Sequence, residues 1–280
     1  MSGGAGIPEG GEHLLEMAVR AAQLGGRETL RFWRHLEPGQ VSEKARNDLV
    51  TEADRSSERA ILGLLRAEDP GCRILAEESG ATGTGGGNLW IVDPLDGTTN
   101  FVHGFPHYAV SVAVERDGVL LAGAIFDPVK DDLFTATAGG GASWNGTPCS
   151  VSARQGLEGA FLATGFPFRA HRLLDPYLAI FREVFLQSKA VRRAGAAALD
   201  LAYTAAGLFD GFFEFQLSPW DIAAGALMVR EAGGVVSDMD GGDRFLKTGD
   251  VLCGPAGVHR QVLGIVRERA AGWPGQEGHQ

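Results

Sequence analysis

The sequence is short of cysteine, of basic residues and of long apolar runs, and these shortages exclude several classes of protein. Three cysteines, Cys72, Cys149 and Cys253, are spread over 280 residues, so neither a zinc motif nor a disulfide framework is expected. No stretch approaches the roughly 20 consecutive apolar residues of a membrane-spanning helix. Residues 1–12 lack the basic start and apolar centre of a signal peptide, so we expect a flexible leader and a cytoplasmic protein.

The charge balance is the next constraint. The chain carries 35 acidic against 25 basic residues, a net charge of −10, which disfavours nucleic acid as a partner. An acidic protein that acts on an anionic substrate needs metal ions as intermediaries. The apolar content of 44% is ordinary for a globular protein, and the length suits one large domain or two subdomains that share a core.

Hydrophobic periodicity predicts a mixed α/β protein. We expect helices over about 13–35, with Gly25-Gly26 as a weak point, and over about 53–67. Asp117-Gly118 marks a hairpin, and ATGTGGGN (81–88) is typical of a flexible loop without the Lys-Ser/Thr ending of a P-loop. The predicted organisation is the leader, an N-terminal α+β subdomain (13–149) and a C-terminal α/β subdomain (150–280).

Acidic residues stand at the ends of several predicted elements, where α/β proteins place ligands. If these segments converge, their carboxylates repel one another unless divalent cations bind them. Oxygen ligands without His or Cys favour Mg²⁺ or Mn²⁺ over zinc. The carboxylates concerned are Asp54 in DLVTEAD, Glu77 in LAEES, Asp93 and Asp96 in VDPLDGTT, and Asp221 in SPWDIAAG.

Each acidic segment also has a purely structural interpretation. Asp54 could cap the helix that follows it, and Asp221 could be an ordinary first-turn acid. Glu77-Glu78 could be a solvated strand end, and residues 93–97 could form only a turn. Chance does not readily place four such segments in one chain, so we favour a shared site.

The motif DGTTNF (Asp96–Phe101) adds an anion site to the carboxylates. A glycine turn that opens a helix leaves free N–H groups and a positive dipole end, which suit a phosphate. Thr98 beside Asp54 could orient an attacking water. Carboxylates, two or more metals and an anion site together predict phosphoryl hydrolysis.

Three of these motifs resemble the signature of a known family. Glu77-Glu78, DPLDGTTNF (Asp93–Phe101) and WDIAAGALMVREAGG (Trp220–Gly234) are similar to those of the inositol monophosphatase family, a group of metal-dependent phosphatases. LATGFPF, ALDLAY and DGFFE resemble its bacterial inositol-1-monophosphatase branch. The resemblance runs from about residue 13 to 270, and motifs in this order and spacing are highly specific.

The resemblance implies both an architecture and an activity. The fold would be a layered αβαβα sandwich of the metal-dependent sugar phosphatase type, assembled as a homodimer. The activity would be hydrolysis of inositol monophosphate to inositol and phosphate by a metal-activated water. Two or three Mg²⁺ ions would serve each site, with Mn²⁺ as a substitute, and lithium would inhibit.

The resemblance also implies a set of metal ligands. Glu77, Asp93 and the backbone carbonyl of Leu95 would bind the first metal. Asp93, Asp96 and Asp221 would bind the second, and a third, weaker ion would lie near Glu77.

The same comparison implies the catalytic and phosphate-binding groups. Asp54 and Thr98, together with Glu77, would activate the water, and Gly97 and Thr98 would hold the phosphate through their backbone. Lys44 matches a lysine on a mobile loop near the metals, although it could equally be a surface lysine.

The substrate pocket departs from the family at one position. The usual Gly-(Ser/Thr)-Ala segment is Gly195-Ala196-Ala197 here. The resemblance implies that the missing hydroxyl loosens one polyol contact, which leaves the identity of the substrate open. Glu214, seven residues before Asp221, matches an acid that hydrogen-bonds an inositol hydroxyl, while Asp96 and Asp221 border the same substrate.

Three alternatives stay open at this point. A sister phosphatase would act on fructose 1,6-bisphosphate, histidinol phosphate or 3′-phosphoadenosine 5′-phosphate. A bisphosphate needs a second basic site, for which Lys44, Arg192 and Arg193 are candidates, although the two arginines could instead be structural or dimer contacts. A regulatory protein could keep the fold and bind a macromolecule, and a metal- or anion-binding module could lack turnover.

Overall fold

The computed structural model describes residues 10–37, 39–45, 48–168 and 170–269. The leader is therefore described only from Gly10, and residues 270–280 of the predicted C-terminal subdomain also lie outside the described residues. The α-helices of the described chain are α1 (Gly11–Leu30), α2 (Glu52–Glu68), α3 (Thr98–Val102), α4 (Leu174–Gln187), α5 (Ala197–Ala205), α6 (Pro219–Glu231), α7 (Phe245–Thr248) and α8 (Ala256–Arg269).

The strands of the described chain form a small hairpin and two larger sheets. The hairpin consists of β1 (Val41–Ala45) and β2 (Asp48–Thr51). The strands of the first sheet are β3 (Arg73–Ala76), β4 (Gly80–Thr82), β5 (Leu89–Asp96), β6 (Ala109–Arg116), β7 (Val119–Asp127), β8 (Asp132–Thr137), β9 (Gly141–Trp144) and β10 (Thr147–Pro148). Those of the second are β11 (Phe161–Thr164), β12 (Ala190–Arg192), β13 (Gly211–Glu214), β14 (Val235–Ser237) and β15 (Val251–Gly254).

Both sheets mix parallel and antiparallel pairs. The first has the order β10-β9-β8-β7-β6-β5-β3-β4, in which β3 and β5 run parallel and the other neighbours run antiparallel. The second has the order β12-β11-β13-β15-β14, with β12, β11 and β13 parallel. The parallel strands of each sheet end at the same edge, and side chains that follow them meet there.

The elements stack in five layers. Helices α1 and α2 cover one face of the first sheet, and α5 and α6 lie between the two sheets. Helices α4 and α8 cover the outer face of the second sheet. The sequence of layers is therefore αβαβα, and the fold class predicted from the sequence is confirmed.

Alternation of side chains along the strands produces these layers, because successive residues point to opposite faces of a sheet. On β5, Trp90 packs toward α1 and α2, whereas Ile91 packs into the middle layer. On β13, Phe212 packs into the middle layer and Phe213 toward α4 and α8. Both sheets are therefore apolar on two faces.

Most predicted elements are confirmed, and three details of the prediction are wrong. Helix α1 ends at Leu30 rather than near His35, and it runs unbroken through Gly25-Gly26. These glycines allow close packing: a Cβ at Gly25 would lie 2.6 Å from Ile61 Cδ1, and one at Gly26 would lie 2.6 Å from Phe126 Cδ1. Part of the predicted loop 81–88 is the edge strand β4.

The third difference concerns Asp93–Gly97, which the sequence suggests is a turn after a short strand. Strand β5 continues to Asp96, with an irregular register between Asp93 and Asp96 in its pairing with β6. The division into subdomains stays a prediction. No helix in the described part of the chain is long and apolar enough to cross a membrane.

Candidate active site

A cavity of about 510 Å³ opens where the parallel strands of the first sheet end and several helices begin. Its walls carry most of the acidic residues singled out in the sequence. Because strand ends and helix N-termini converge here, polar side chains from distant segments meet in one place. Six of the lining residues are Glu77, Asp93, Asp96, Thr98, Glu214 and Asp221.

Three carboxylates form the centre of the cavity. Asp93, Asp96 and Asp221 each offer an oxygen atom, and these atoms all lie within 4.8 Å of one another. Asp93 and Asp96 come from β5, and Asp221 from the first turn of α6. The predicted convergence of VDPLDGTT and SPWDIAAG is therefore observed.

Backbone amides hold each of the three carboxylates. The N–H of Leu95 donates to Asp93 Oδ1 at 2.9 Å, and the N–H of Ala198 donates to Asp96 Oδ2 at 2.7 Å. The N–H of Ser218 donates to Asp221 Oδ2 at 2.7 Å, so this acid also caps α6. The structural interpretation of Asp221 and its position in the cluster are therefore compatible.

The carboxylates of the cluster are buried close together and repel one another, so a positive charge between them would be stabilising. Burial and the neighbouring carboxylates raise the pKa values of Asp93 and Asp96 well above that of a free aspartate. Burial also raises the pKa of Glu77 to about 7, against the opposing effect of Lys44. Repulsion among these buried carboxylates favours either protonation or the binding of cations.

The donor set fits Mg²⁺ or Mn²⁺. It consists of carboxylate oxygens and the Leu95 backbone, and no His or Cys lines the cavity within the described chain. Hard oxygen ligands of this kind suit Mg²⁺, whereas zinc sites use nitrogen and sulfur.

Thr98 and Asp54 form a hydrogen-bonded pair beside the cluster. The Thr98 hydroxyl lies 3.0 Å from Asp54 Oδ1 and 3.1 Å from the carbonyl oxygen of Leu95. Asp54 Oδ2 accepts from the N–H and hydroxyl of Thr51 at 2.8 and 2.6 Å, which closes a capping box at the start of α2. Burial raises the pKa of Asp54 to about 6. Asp54 thus supports the helix cap and contacts Thr98.

Gly97 sets the conformation of the loop that follows β5. Its φ of 95° lies in the left-handed region that favours glycine, and it is the N-cap of α3. The first N–H groups of a helix have no partner within the helix, so the backbone at Thr98 presents donors near the carboxylates. Gly97 and Thr98, the two residues predicted to contact the phosphate, both line the cavity.

Lys44 lies at the edge of the site. Its ammonium group is 3.3 Å from Glu77 Oε1 and 2.5 Å from Glu78 Oε1. The lysine is therefore an ion-pair partner of both glutamates rather than an unpaired surface residue. This contact places positive charge next to Glu77.

The remaining residues predicted to contact the substrate also line the cavity. Gly195, Ala197 and Glu214 line it, whereas Ala196 is buried and does not. Ala196, which stands where the family usually has Ser or Thr, therefore packs into the core and does not line the cavity. Gly165 makes room for Glu214, because a Cβ there would lie 1.9 Å from the glutamate carboxyl group.

Sequence reasoning missed two groups of residues. Asn100 Nδ2 lies 2.7 to 3.2 Å from the carbonyl oxygens of His107, Ala194 and Gly195, so it joins the loop after β5 to the segment before α5. Its place within DGTTNF was the available signal. Phe166 and Phe168 also line the cavity and were missed, beside Arg193, which the sequence offered as a candidate for a second basic site.

The chain is similar to known proteins over most of its length. The model of the inositol monophosphatase family matches residues 11–270. The chain is 47% identical over 259 residues to Nus factor SuhB of Pseudomonas aeruginosa, covering 91% of this chain and 96% of that protein. It is 45% identical over 256 residues to inositol-1-monophosphatase of Mesorhizobium japonicum, with the same coverage of 91% and 96%.

A solved structure supports the same relationship. The extragenic suppressor protein suhB from Bartonella henselae superimposes with a TM-score of 0.88 at 42% sequence identity. The match covers 91% of this chain and 99% of that one.

Proposed function

The chain belongs to the inositol monophosphatase family, and from this premise we propose that it is a Mg²⁺-dependent phosphomonoesterase that hydrolyses inositol monophosphate. The observation that carries the proposal is the group of three carboxylates within 4.8 Å beside the Thr98–Asp54 pair. Mutual repulsion of buried carboxylates favours cation binding, and a phosphate ester is an anionic ligand that bound cations attract.

The residues that would hold each metal are assigned by their match to the family's motifs, and the carboxylate-rich donor set supports this assignment. Glu77, Asp93 and the Leu95 carbonyl would hold one ion, and Asp93, Asp96 and Asp221 a second. A third ion would lie near Glu77. When bound, the metal ions supply Lewis acidity toward the phosphate and lower the pKa of a coordinated water.

The chain's own groups would orient and deprotonate that water. With its proton donated to Asp54, the Thr98 hydroxyl keeps its lone pairs to accept a hydrogen bond from water. Asp54 is buried and held by Thr51, so it can draw the proton away through Thr98 without moving. The N–H groups after Gly97 would hold the phosphate oxygens, and Glu214 would orient the leaving alcohol through a hydroxyl group.

The test is phosphate release from inositol 1-phosphate with and without Mg²⁺. We expect activity that EDTA abolishes and added Mg²⁺ restores. Asp93→Asn should lower kcat/KM more than about 100-fold, because it removes a ligand shared by two metals. The substitution also removes one of several repelling buried charges, so the loss of activity should not reflect unfolding.

The matched control is Asp243→Asn, which alters an exposed carboxylate paired with Arg230. Its kcat/KM should equal that of the unaltered protein. Near-normal turnover by the Asp93→Asn variant would contradict the assignment. A panel with fructose, histidinol and nucleotide phosphates decides the substrate: a higher kcat/KM for one of these would favour a sister activity.

A second role rests on the name of a similar protein. The Pseudomonas aeruginosa relative is called a Nus factor, so a macromolecular partner is a second proposal for this chain. Capture of partners by the tagged protein from lysate, in Mg²⁺ and in EDTA, tests it. A partner retained by the Asp93→Asn variant would separate this role from catalysis.

The assembly and location are proposed on the same basis as the activity. Leu174, Leu178 and Phe185 are exposed at helical spacing on α4, which supports a homodimer. Sedimentation equilibrium tests the dimer. Cytoplasmic location is supported by three free cysteines, and inhibition by lithium is a further property to measure.

A further inference from the structure

The side-chain amide of Asn100 joins the segment before β6 to the segment before α5. Its Nδ2 atom donates to the carbonyl oxygen of His107 at 2.7 Å, and to those of Ala194 and Gly195 at 3.0 and 3.2 Å. A primary amide has two N–H hydrogens, so these three carbonyls use both of its donors. Asn100 lines the cavity, but its N–H groups are committed to the fold and not to a ligand.

Two of these carbonyls flank Gly97, whose backbone together with that of Thr98 forms the proposed phosphate contact, called the anion loop below. A Cβ on Gly97 would lie 3.1 Å from the carbonyl oxygen of His107 and 3.3 Å from that of Gly195. An unpaired carbonyl oxygen turns the negative end of its dipole toward its surroundings, which disfavours an anion nearby. The Asn100 amide pairs both oxygens, so it removes an unfavourable interaction next to the anion loop.

The first acceptor segment is also fixed on its other side. Lys130 Nζ donates to the carbonyl oxygen of Pro106 at 3.3 Å. The side chain of the next residue, His107, is buried, and its ring centroid lies 6.3 Å from that of Tyr203 on α5. The His107 carbonyl is therefore held in place, and Asn100 binds the anion loop to a rigid neighbour.

The second acceptor segment leads into α5. The Ala198 N–H in the first turn of this helix holds Asp96 at 2.7 Å, and Gly195 accepts from Asn100. Asp96 and Asn100 stand on either side of Gly97 in the sequence. The start of α5 is thus attached to the chain both before and after Gly97, which fixes the distance between the helix and the anion loop.

We propose that Asn100 is a positioning residue for phosphate binding: it pairs the carbonyl oxygens that flank Gly97 and holds the anion loop against the start of α5. The inference rests on the proposed phosphatase function and assigns to this amide the order of its phosphate site. Asn100 acts through the backbone of Gly97 and Thr98. The Thr98 hydroxyl is held separately by Asp54, so water activation should depend less on Asn100 than phosphate binding does.

The experiment measures phosphate affinity directly. Titration calorimetry with inorganic phosphate at saturating Mg²⁺ should give a dissociation constant about 10-fold higher for Asn100→Ala than for the unaltered protein, the effect of losing one or two hydrogen bonds. In steady-state kinetics with inositol 1-phosphate, KM should rise by a similar factor and kcat should change by less than about 3-fold, because ground state and transition state lose the same contact. Asn100→Ser, whose hydroxyl is too short to reach the three carbonyls, replaces Asn100→Ala if that variant does not fold.

The matched control is Asn88→Ala. Asn88 Nδ2 donates to Asp69 at 2.7 Å and its Oδ1 accepts from Arg116 at 2.8 Å, so this residue also joins distant segments but does not line the cavity. Its loss should lower the free energy of unfolding in urea and leave phosphate affinity and KM unchanged. The comparison separates an effect on the anion loop from a general effect of losing an amide from the fold.

The remaining outcomes separate the inference from the function on which it rests. Unchanged phosphate affinity in the Asn100 variant would overturn the inference and leave the phosphatase assignment standing, and so would a fall in kcat that exceeds the rise in KM. If the unaltered protein binds phosphate but does not cleave inositol 1-phosphate, the proposed activity fails, and the calorimetric comparison alone decides the role of Asn100. Absence of both binding and cleavage would overturn the two proposals together.

Discussion

At the scale of single residues, the hydroxyl group of Thr98 has two acceptors within 3.1 Å and one proton to donate. Thr98→Ala removes this hydroxyl and should lower kcat about 100-fold or more, since general-base assistance contributes about that much. Thr98→Ser keeps the hydroxyl and should restore most of the rate. KM should change less than kcat, because the phosphate contacts at this position come from the backbone.

Steady-state kinetics with inositol 1-phosphate measure the effect. A Thr98→Ala variant within a few-fold of normal kcat would mean that the Thr98–Asp54 hydrogen bond belongs to the fold and not to water activation. The same comparison in Thr51→Ala, which loses a donor to Asp54 and the α2 cap, would separate helix stability from catalysis.

The sequence made some of these residues predictable and concealed others. Asp93, Asp96 and Thr98 sit in one local motif, so their proximity follows from chain geometry alone. Asp221 required the further argument that acids at helix starts converge. The sequence could not show which of the adjacent residues Arg192 and Arg193 lines the cavity. Only the tertiary structure distinguishes them, because Arg192 packs on Phe161 and Arg193 on Phe168.

At the scale of elements, helix α1 owes its position to two glycines that sequence rules treat as weak points. Gly25→Ala should destabilise the protein by about 1–3 kcal/mol, since the new methyl would press against Ile61 and Ser57 of α2. Gly63→Ala on α2 should stabilise it by about 0.5–1 kcal/mol, because nothing lies within 4 Å of the added Cβ.

Urea denaturation of the two variants measures these opposite changes in the free energy of unfolding. Both substitutions improve intrinsic helix propensity equally, so the difference between them isolates the interhelical contact. If Gly25→Ala were as stable as Gly63→Ala, α1 and α2 would be packed more loosely than these distances indicate.

The elements themselves were largely predictable, and the exceptions have a common cause. Periodicity identifies the strands and helices because their buried faces recur along the chain. It does not reveal close contact between elements, which is why the continuity of α1 at Gly25-Gly26 was missed. Strand β4 was missed for a related reason. Gly80–Thr82 pairs at the edge of the sheet and has no buried side chain that hydrophobic periodicity could reveal.

At the scale of the whole molecule, helices α5 and α6 form the middle layer and contact both sheets. Small residues make this layer thin. A Cβ at Gly225 of α6 would lie 2.4 Å from Leu201 Cβ of α5, and one at Gly123 of β7 would lie 3.0 Å from Ala224 Cα. The same layer carries Asp221 at the start of α6 and the Ala198 amide that holds Asp96. The site therefore depends on contacts that belong to neither sheet alone.

A shared layer should make the two sheets unfold together, although the sequence suggests a boundary near residue 150. Gly225→Val should overpack the layer and lower the free energy of unfolding by about 3 kcal/mol. Hydrogen exchange in increasing urea should show equal shifts of the midpoint for peptides from β6 and from β15. Gly264→Val on α8, where nothing lies within 4 Å of an added Cβ, is the control and should shift neither peptide toward lower urea. Separate midpoints for β6 and β15 would instead indicate two independently stable subdomains, and the carboxylate cluster would then lie between units that can part.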